Sequence, residues 1–109
     1  MKPTFLELRH LRTLLALKET GSVSMAAKRV YLTQSALSHQ IKLMEEQFGL
    51  PLFERKSNPL RFTAAGDRLI RLANEILPKV IDAERELARV KHGDAGQLRI
   101  AVECHTCFD

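Results

Sequence analysis

Apolar residues between Thr33 and Gly49 recur at the period of an α-helix. Those that share one narrow arc, at i, i+4, i+7 and i+11, are Leu37, Ile41, Met44 and Phe48. This spacing predicts a helix over residues 33–48 whose apolar side packs against the core. Thr33 is a favourable N-cap residue, and Gly49 is a natural stop because glycine adopts the left-handed conformation at low cost.

A first helix is predicted over residues 5–20. Thr4 and Glu7 have the spacing of a capping box, and the leucines that follow keep a helical period until Gly21, a C-terminal stop signal. This helix is amphipathic and therefore needs a packing partner.

A second, short helix is predicted after Ser22 or Ser24, either of which can cap it. Lys28 and Arg29 would face outward. The residues that would face inward are Val23, Met25, Ala26, Ala27 and Val30. A link of about three or four residues then leads to the third helix, which is the spacing of a helix-turn-helix.

A small β-hairpin is predicted from the apolar runs 52–55 and 60–63, which flank an Asn-Pro turn signal. It carries three cationic residues, Arg55, Lys56 and Arg61, and so forms a basic wing beside the third helix. The predicted fold class is therefore mainly α: a winged helix-turn-helix of three helices plus a hairpin, followed by a long helix.

The long helix is predicted to start at a Thr63 cap and to continue through Pro78 with a kink. Its apolar residues alternate between four- and three-residue steps, as in a heptad seam. The seam consists of Leu69, Ala73, Ile76, Val80, Ala83, Leu87 and Val90. A second apolar line, Ile70, Leu77 and Ile81, can cover the parent domain, so the seam is assigned to a partner helix and a homodimer is predicted.

The polar side of the third helix is graded in charge. Its N-terminal half presents hydrogen-bonding side chains, which are Gln34, Ser35, Ser38, His39 and Lys42, whereas Glu45 and Glu46 lie towards its C-terminal end. This arrangement suits an anion approaching the positive end of the helix dipole. A solvated face is the plain alternative for any one amphipathic helix, but together with the short helix and the basic wing the pattern indicates double-stranded DNA.

Roles in DNA binding follow from side-chain chemistry. Gln34 can pair bidentately with adenine, and Ser35 and Ser38 can meet base edges or phosphate. Phosphate or groove-wall contacts are assigned to Thr33, His39, Lys42, Lys56 and Arg61, although Thr33 could serve only as a cap. Arg55 of the wing could enter an adjacent minor groove, or it could be solvated or pair with a helix.

The composition fits this interpretation. The chain has 109 residues, is 45% hydrophobic and carries a formal charge of +4, enough for one compact domain and suited to a polyanionic partner. No apolar run is long enough to span a membrane and no signal peptide is evident, so a cytoplasmic protein without membrane contact is expected.

The C-terminal end is predicted to begin another domain. Glycines end the long helix, and residues 97–102 have the pattern of a strand that cannot stand alone. The expected organisation is 1–63 for DNA binding, 64–92 for the dimerising linker helix, and 93–109 for a hinge and the first strand of a truncated domain.

The cysteines of this end, Cys104 and Cys107, invite a metal or redox interpretation. A structural zinc site wants four ligands, however, and the other candidates, His10, His39 and His92, lie on other elements, so no metal site is assigned. A metal-dependent enzyme centred on the cysteines and a helical protein-interaction module remain the alternatives, but neither explains the winged helix-turn-helix order. No catalytic residue and no enzymatic activity are assigned.

Four segments, residues 21–27, 33–38, 49–55 and 63–66, resemble those of the LysR-type transcriptional regulators. The resemblance implies a bacterial winged helix-turn-helix, a dimerising linker helix and a C-terminal effector-binding domain of periplasmic-binding-protein type. It carries the family's base-contacting positions onto Gln34, Ser35 and Ser38, and its wing arginine onto Arg55. The chain departs from the family at Ser35, where proline is frequent, and at His39, where a basic residue is frequent.

A narrower resemblance involves residues 55–63 and 100–107. These are similar to the branch of the family that regulates methionine biosynthesis. It implies homocysteine as the coeffector of the full-length protein, no cofactor in this fragment, a tetramer as a candidate full-length assembly, and RNA polymerase as a further candidate partner.

Overall fold

Four α-helices and one short antiparallel bridge make up the fold. The structure is a computed structural model, which describes residues 4–54 and 59–92. The helices are α1 (Leu8–Thr20), α2 (Val23–Arg29), α3 (Gln34–Phe48) and α4 (Ala64–Lys91). Phe53 and Phe62 pair in the antiparallel bridge between α3 and α4. This order confirms the predicted mainly α winged helix-turn-helix with a long final helix.

Helix α1 begins at Leu8, three residues after the predicted start, and the predicted Thr4–Glu7 capping box is wrong. Glu7 is the N-cap, and its backbone N–H donates to Nδ1 of His10 at 2.9 Å. Phe5 precedes the helix in non-helical backbone and stacks on the His10 ring at 4.9 Å between centroids. Packing Phe5 against the protein removes apolar surface from water. Extending α1 back to Phe5 would add an exposed helical turn without this burial.

Burial changes the titration of His10. Its side chain is almost fully buried, and desolvation lowers its pKa from the ordinary 6.5, with nearby Arg9 lowering it further and Glu7 opposing the shift. The neutral ring is the form that can accept the Glu7 N–H, so helix capping and the lowered pKa require the same protonation state.

The helix-turn-helix is closed by local caps, as the sequence predicts. Ser22 caps α2, its Oγ accepting from Met25 N at 3.2 Å, and Thr33 caps α3, its Oγ1 accepting from Ala36 N at 3.0 Å. Gly21 and Gly49 end α1 and α3 in the left-handed conformation, with φ of 68° and 69°. Met25 was expected to face inward and instead is 56% exposed, because α2 has only seven residues and Ala26 and Ala27 fill its narrow inward side.

The core is arranged around α1. One cluster joins α1, α2 and α3 through Leu17, Ala26, Ala27 and Leu37. A second joins α1, α3, the bridge region and α4 through Leu14, Met44, Leu52 and Ile70, and a third joins α1 and α4 through Leu11, Ala73 and Leu77. Because Leu37 and Met44 of α3 are fully buried, the rotation of α3 about its axis is set by packing.

Hydrogen bonds tie the wing region to the start of α4. Glu54 N donates to Arg61 O and Thr63 N donates to Leu52 O, both at 3.0 Å. The Thr63 hydroxyl donates to Pro51 O at 2.7 Å and accepts from Gly66 N at 3.2 Å, so Thr63 caps α4 as predicted. The base of the wing, which comprises residues 51–54 and 61–63, is therefore hydrogen-bonded across the bridge and to the first turn of α4.

Helix α4 is one helix of 28 residues that contains Pro78, as predicted. The chain divides into two compact units, residues 1–77 and 78–109, and the division falls within this helix. The predicted strand 97–102 and the pair Cys104 and Cys107 lie outside the described residues.

Candidate nucleic-acid interface

The polar face of α3 stands open to solvent. Its predicted DNA-contacting side chains are all exposed, namely Gln34, Ser35, Ser38, His39 and Lys42. Leu37, which lies among them in sequence, is fully buried, so the helix presents these polar groups together on the side away from the core. The structure thus brings the five α3 residues onto one surface.

These side chains have their hydrogen-bonding groups available. Within residues 4–54 and 59–92, none of the five makes a side-chain hydrogen bond or an ion pair. Thr33 differs, because its Oγ1 already accepts the Ala36 N–H. A hydroxyl that accepts can still donate its own hydrogen, so capping and a phosphate contact are compatible at Thr33.

Charge along α3 favours an anion at its N-terminal end. The first turn of α3 contains no acidic residue, and Lys42 is exposed one turn further on from Ser38. Of the two C-terminal carboxylates, Glu45 is half-buried and its Oε2 accepts the Leu52 N–H at 2.8 Å, whereas Glu46 is exposed. Glu45 therefore anchors the segment that leads into the wing, a role that its sequence position did not suggest.

The wing contributes one described cation. Arg61 is exposed next to Phe62 of the antiparallel bridge, and its carbonyl accepts the Glu54 N–H. Beside it, the ammonium of Lys18 lies 5.8 Å from the centroid of the Phe62 ring, within cation–π range. Arg55 and Lys56 lie outside the described residues, and their assignment to DNA stays a prediction.

Tyr31 lies in the turn between α2 and α3, and its sequence position alone indicates no role in DNA binding. It precedes the Thr33 cap by two residues, has φ of 60°, and its side chain is 94% exposed. An aromatic residue in a tight turn that belongs to no apolar arc is the signal that could have singled it out.

The predicted dimerisation residues of the first unit are partly used within it. Ala73 is fully buried beside Leu11 of α1, and so is not exposed for a partner chain. Leu69 and Ile76 are half-buried: Leu69 packs against the cluster of Leu14 and Ile70, and Ile76 packs against the cluster that contains Ala73. These three positions serve the parent domain at least in part, because the apolar surface of α4 there is wider than a single line.

Two of the four predicted dimerisation residues of the second unit are exposed. Ala83 is exposed and Leu87 is 56% exposed, while Val80 is half-buried and Val90 is buried. Exposed leucine at seam spacing is the pattern that a partner helix would cover.

The described ranges, 4–54 and 59–92, hold no group of three or more histidine, cysteine or acidic side chains placed to bind a metal ion. In the same part of the chain, no helix combines the length and apolar character needed to cross a membrane.

Comparison with known sequences points to one family. A model of bacterial regulatory helix-turn-helix proteins of the lysR family matches residues 8–67. The whole chain is 92% identical to the HTH-type transcriptional regulator MetR of Haemophilus influenzae, of which it covers 35%. Over 103 residues, 94% of the chain, it is 47% identical to the HTH-type transcriptional regulator MetR of Escherichia coli, of which it covers 32%. The chain thus spans about a third of the length of these curated relatives.

Comparison with solved structures gives the same picture. The fold is similar to that in the crystal structure of the BenM_DBD/catB site 1 DNA complex, with a TM-score of 0.74 and 34% identity over 83% of this chain and 97% of that one. It is also similar to Vibrio fischeri DarR in complex with DNA, a LysR-type regulator, with a TM-score of 0.71 and 25% identity over 84% of this chain and 32% of that one.

Proposed function

Because the chain belongs to the LysR family of bacterial regulatory helix-turn-helix proteins, we propose that it is the sequence-specific DNA-binding part of a transcriptional regulator. The observation that carries the proposal is the exposed polar face of α3. Its hydrogen-bond donors and acceptors lie opposite the fully buried Leu37, and the first turn of α3 contains no acidic residue. No catalytic role is proposed for any residue of this chain.

In this proposal the N-terminal half of α3 enters the major groove. Gln34 reads an adenine through its amide, and Ser35 and Ser38 meet neighbouring base edges. Phosphates are contacted by Thr33, His39, Lys42 and Arg61, and by the wing residues Arg55 and Lys56. The contacts to phosphate place the helix, and the contacts of Gln34 and the serines select the sequence.

We further propose that α4 forms a homodimer through its exposed seam, chiefly Ala83 and Leu87. A two-fold dimer presents two copies of α3 to two half-sites of a palindromic operator. Residues 93–109 would then lead into an effector-binding domain in the full-length protein.

The naming of the MetR relatives supports regulation of methionine and sulfur amino-acid biosynthesis genes by the full-length protein. A small-molecule coeffector, homocysteine in this proposal, would act through the effector domain. RNA polymerase and a tetrameric assembly complete the set of proposed partners.

The test is a selection from randomised duplexes with the purified chain, followed by affinity measurements on the selected site. Gln34→Ala is expected to relax preference at one half-site position and to weaken the selected site by about 1–3 kcal/mol. Gln47→Ala is the matched control, since it removes the same exposed amide from the far end of the same helix and should change neither quantity. Equal loss on all duplexes for Gln34→Ala would remove its assignment as a base reader.

Salt dependence separates DNA binding from the alternative of a protein-interaction module. When binding releases counterions, the logarithm of the binding constant falls linearly with the logarithm of the salt concentration. Lys42→Ala should reduce the slope of this line by about 1 and should weaken binding to all duplexes alike. A parent chain that shows neither duplex selection nor this salt dependence would contradict the proposed function.

A further inference from the structure

Tyr31 has an unfavourable backbone conformation, and no contact of its side chain within the described residues offsets the strain. Among residues 4–54 and 59–92 it is the one non-glycine residue with positive φ, at 60°. The left-handed region crowds the Cβ of an L-residue against its own backbone, and only glycine, or to a lesser degree asparagine and aspartate, adopts it readily.

The turn explains the backbone but not the side chain. Tyr31 N donates to Lys28 O at 3.2 Å and Leu32 N donates to Ala27 O at 2.9 Å, which closes α2 and redirects the chain towards α3. Leu32 packs on the core cluster that contains Ala27. Glycine or asparagine at position 31 would permit the same turn with less crowding.

The Tyr31 side chain gains nothing from the described part of the chain. It is 94% exposed, and within the described residues it makes no hydrogen bond, ring contact or ion pair. A strained residue whose side chain does not pack is a candidate for contact with something outside the chain.

The position of Tyr31 indicates what it contacts. Three peptide units separate it from Gln34, so its Cα lies at most about 11 Å from that of the proposed base reader. A helix with its side chains nearly fills a major groove of about 12 Å width, so a long side chain beside the entering end meets the groove wall, where the phosphates lie.

We propose that the Tyr31 hydroxyl donates a hydrogen bond to a DNA backbone phosphate at the edge of the groove that α3 enters. This inference rests on the proposed function and adds a contact to it. Tyrosine is among the residues that bind phosphate oxygens in protein–DNA complexes. The phenol is a neutral donor, so the contact releases no counterion and carries no sequence preference.

Tyr31→Phe tests the contact, because it removes only the hydroxyl from an exposed ring. We expect an unchanged unfolding midpoint, a loss of affinity of about five- to tenfold on both selected and unrelated duplexes, and an unchanged salt slope. Lys42→Ala, the charged comparison, should instead reduce the salt slope.

Tyr31→Gly provides the second variant, since it relieves the backbone and removes the ring. We expect a raised unfolding midpoint together with DNA binding weakened at least as much as in Tyr31→Phe. A stability gain with full DNA affinity would overturn the inference, and so would parent-like affinity of Tyr31→Phe or a loss restricted to one base position.

These outcomes are distinguishable from failure of the proposed function. If the parent chain binds and selects duplexes but Tyr31→Phe binds them equally well, only the Tyr31 contact is overturned. If the parent chain shows no salt-dependent duplex binding, both proposals are overturned together, because there is then no phosphate contact to lose.

Discussion

Substituting Gly66 by alanine should destabilise the chain, although Gly66 lies inside a helix where alanine is normally favoured. A Cβ built at position 66 would collide with the Leu52 carbonyl oxygen and would lie 2.9 Å from Cδ2 of Phe62. The Leu52 oxygen cannot easily move, because it accepts the Thr63 N–H at 3.0 Å and belongs to the segment tied to Thr63 through Pro51 O. The close approach of α4 to the wing base therefore requires glycine.

The magnitude follows from opposing terms. Glycine to alanine in a helix gains up to about 1 kcal/mol from propensity, and position 66 lies in the first turn of α4. Inserting a methyl group into a packed site costs roughly 1–3 kcal/mol, and loss of the Thr63–Leu52 hydrogen bond costs about 1 kcal/mol more. We expect a net destabilisation of about 2 kcal/mol for Gly66→Ala, which lowers the Tm of a domain of this size by about 10 °C.

Urea and thermal unfolding followed by circular dichroism measure this effect. Ala64→Gly is the control, since position 64 is exposed in the same first turn and should cost only the propensity difference, up to about 1 kcal/mol. If Gly66→Ala were as stable as the parent chain or more stable, the α4–wing contact would not be as close as the structure has it.

Three further predictions concern His10, Thr33 and Leu87. Because the pKa of His10 is lowered in the folded chain, the unfolded chain binds the proton more readily, so the unfolding free energy should fall as the pH drops through about 6.5 and level off below the folded-state pKa. Urea titrations should show that His10→Gln, which keeps an acceptor for the Glu7 N–H, loses this dependence, while exposed His39→Gln retains it. Thr33→Ala should lower the unfolding free energy by about 1 kcal/mol in the same assay through loss of the α3 cap, and no change would mean that the Ala36 N–H is satisfied otherwise. Leu87→Glu should shift sedimentation towards monomer with helix content retained, whereas Arg85→Glu on the opposite side of α4 should not; an unchanged profile for Leu87→Glu would exclude Leu87 from the interface.

Local chemistry made the helix-turn-helix predictable. The bounds of α3, the Thr33 cap and the stops at Gly21 and Gly49 agree with the structure, and Ser22 is the one of the two candidate caps that α2 uses. Each depends on hydrogen bonds or backbone conformations within three or four residues, which the sequence displays directly.

Predictions that depend on contacts between residues distant in sequence were wrong at two points. The sequence pattern predicts a start of α1 three residues too early, because Phe5 stacks on His10 and packs on the core instead of joining the helix. Periodicity predicts an inward Met25, which is 56% exposed, because periodicity does not reveal how narrow the buried face of a two-turn helix is.

The candidate site shows the same division. That α3 carries its donors at one end and its carboxylates at the other was evident from the sequence, but that Glu45 holds the Leu52 N–H was not. The conformation of Tyr31 likewise depends on how α2 ends and where Leu32 packs.

The sequence by itself determined the order of the helices, their caps and stops, and the polar character of the α3 face. Only the tertiary structure decided which residues of the α4 seam serve their own domain, since Ala73 packs beside Leu11 of α1 whereas Leu87 stays exposed. The physical reason is range: caps and periodicity arise between residues close in sequence, whereas burial depends on which distant surfaces meet.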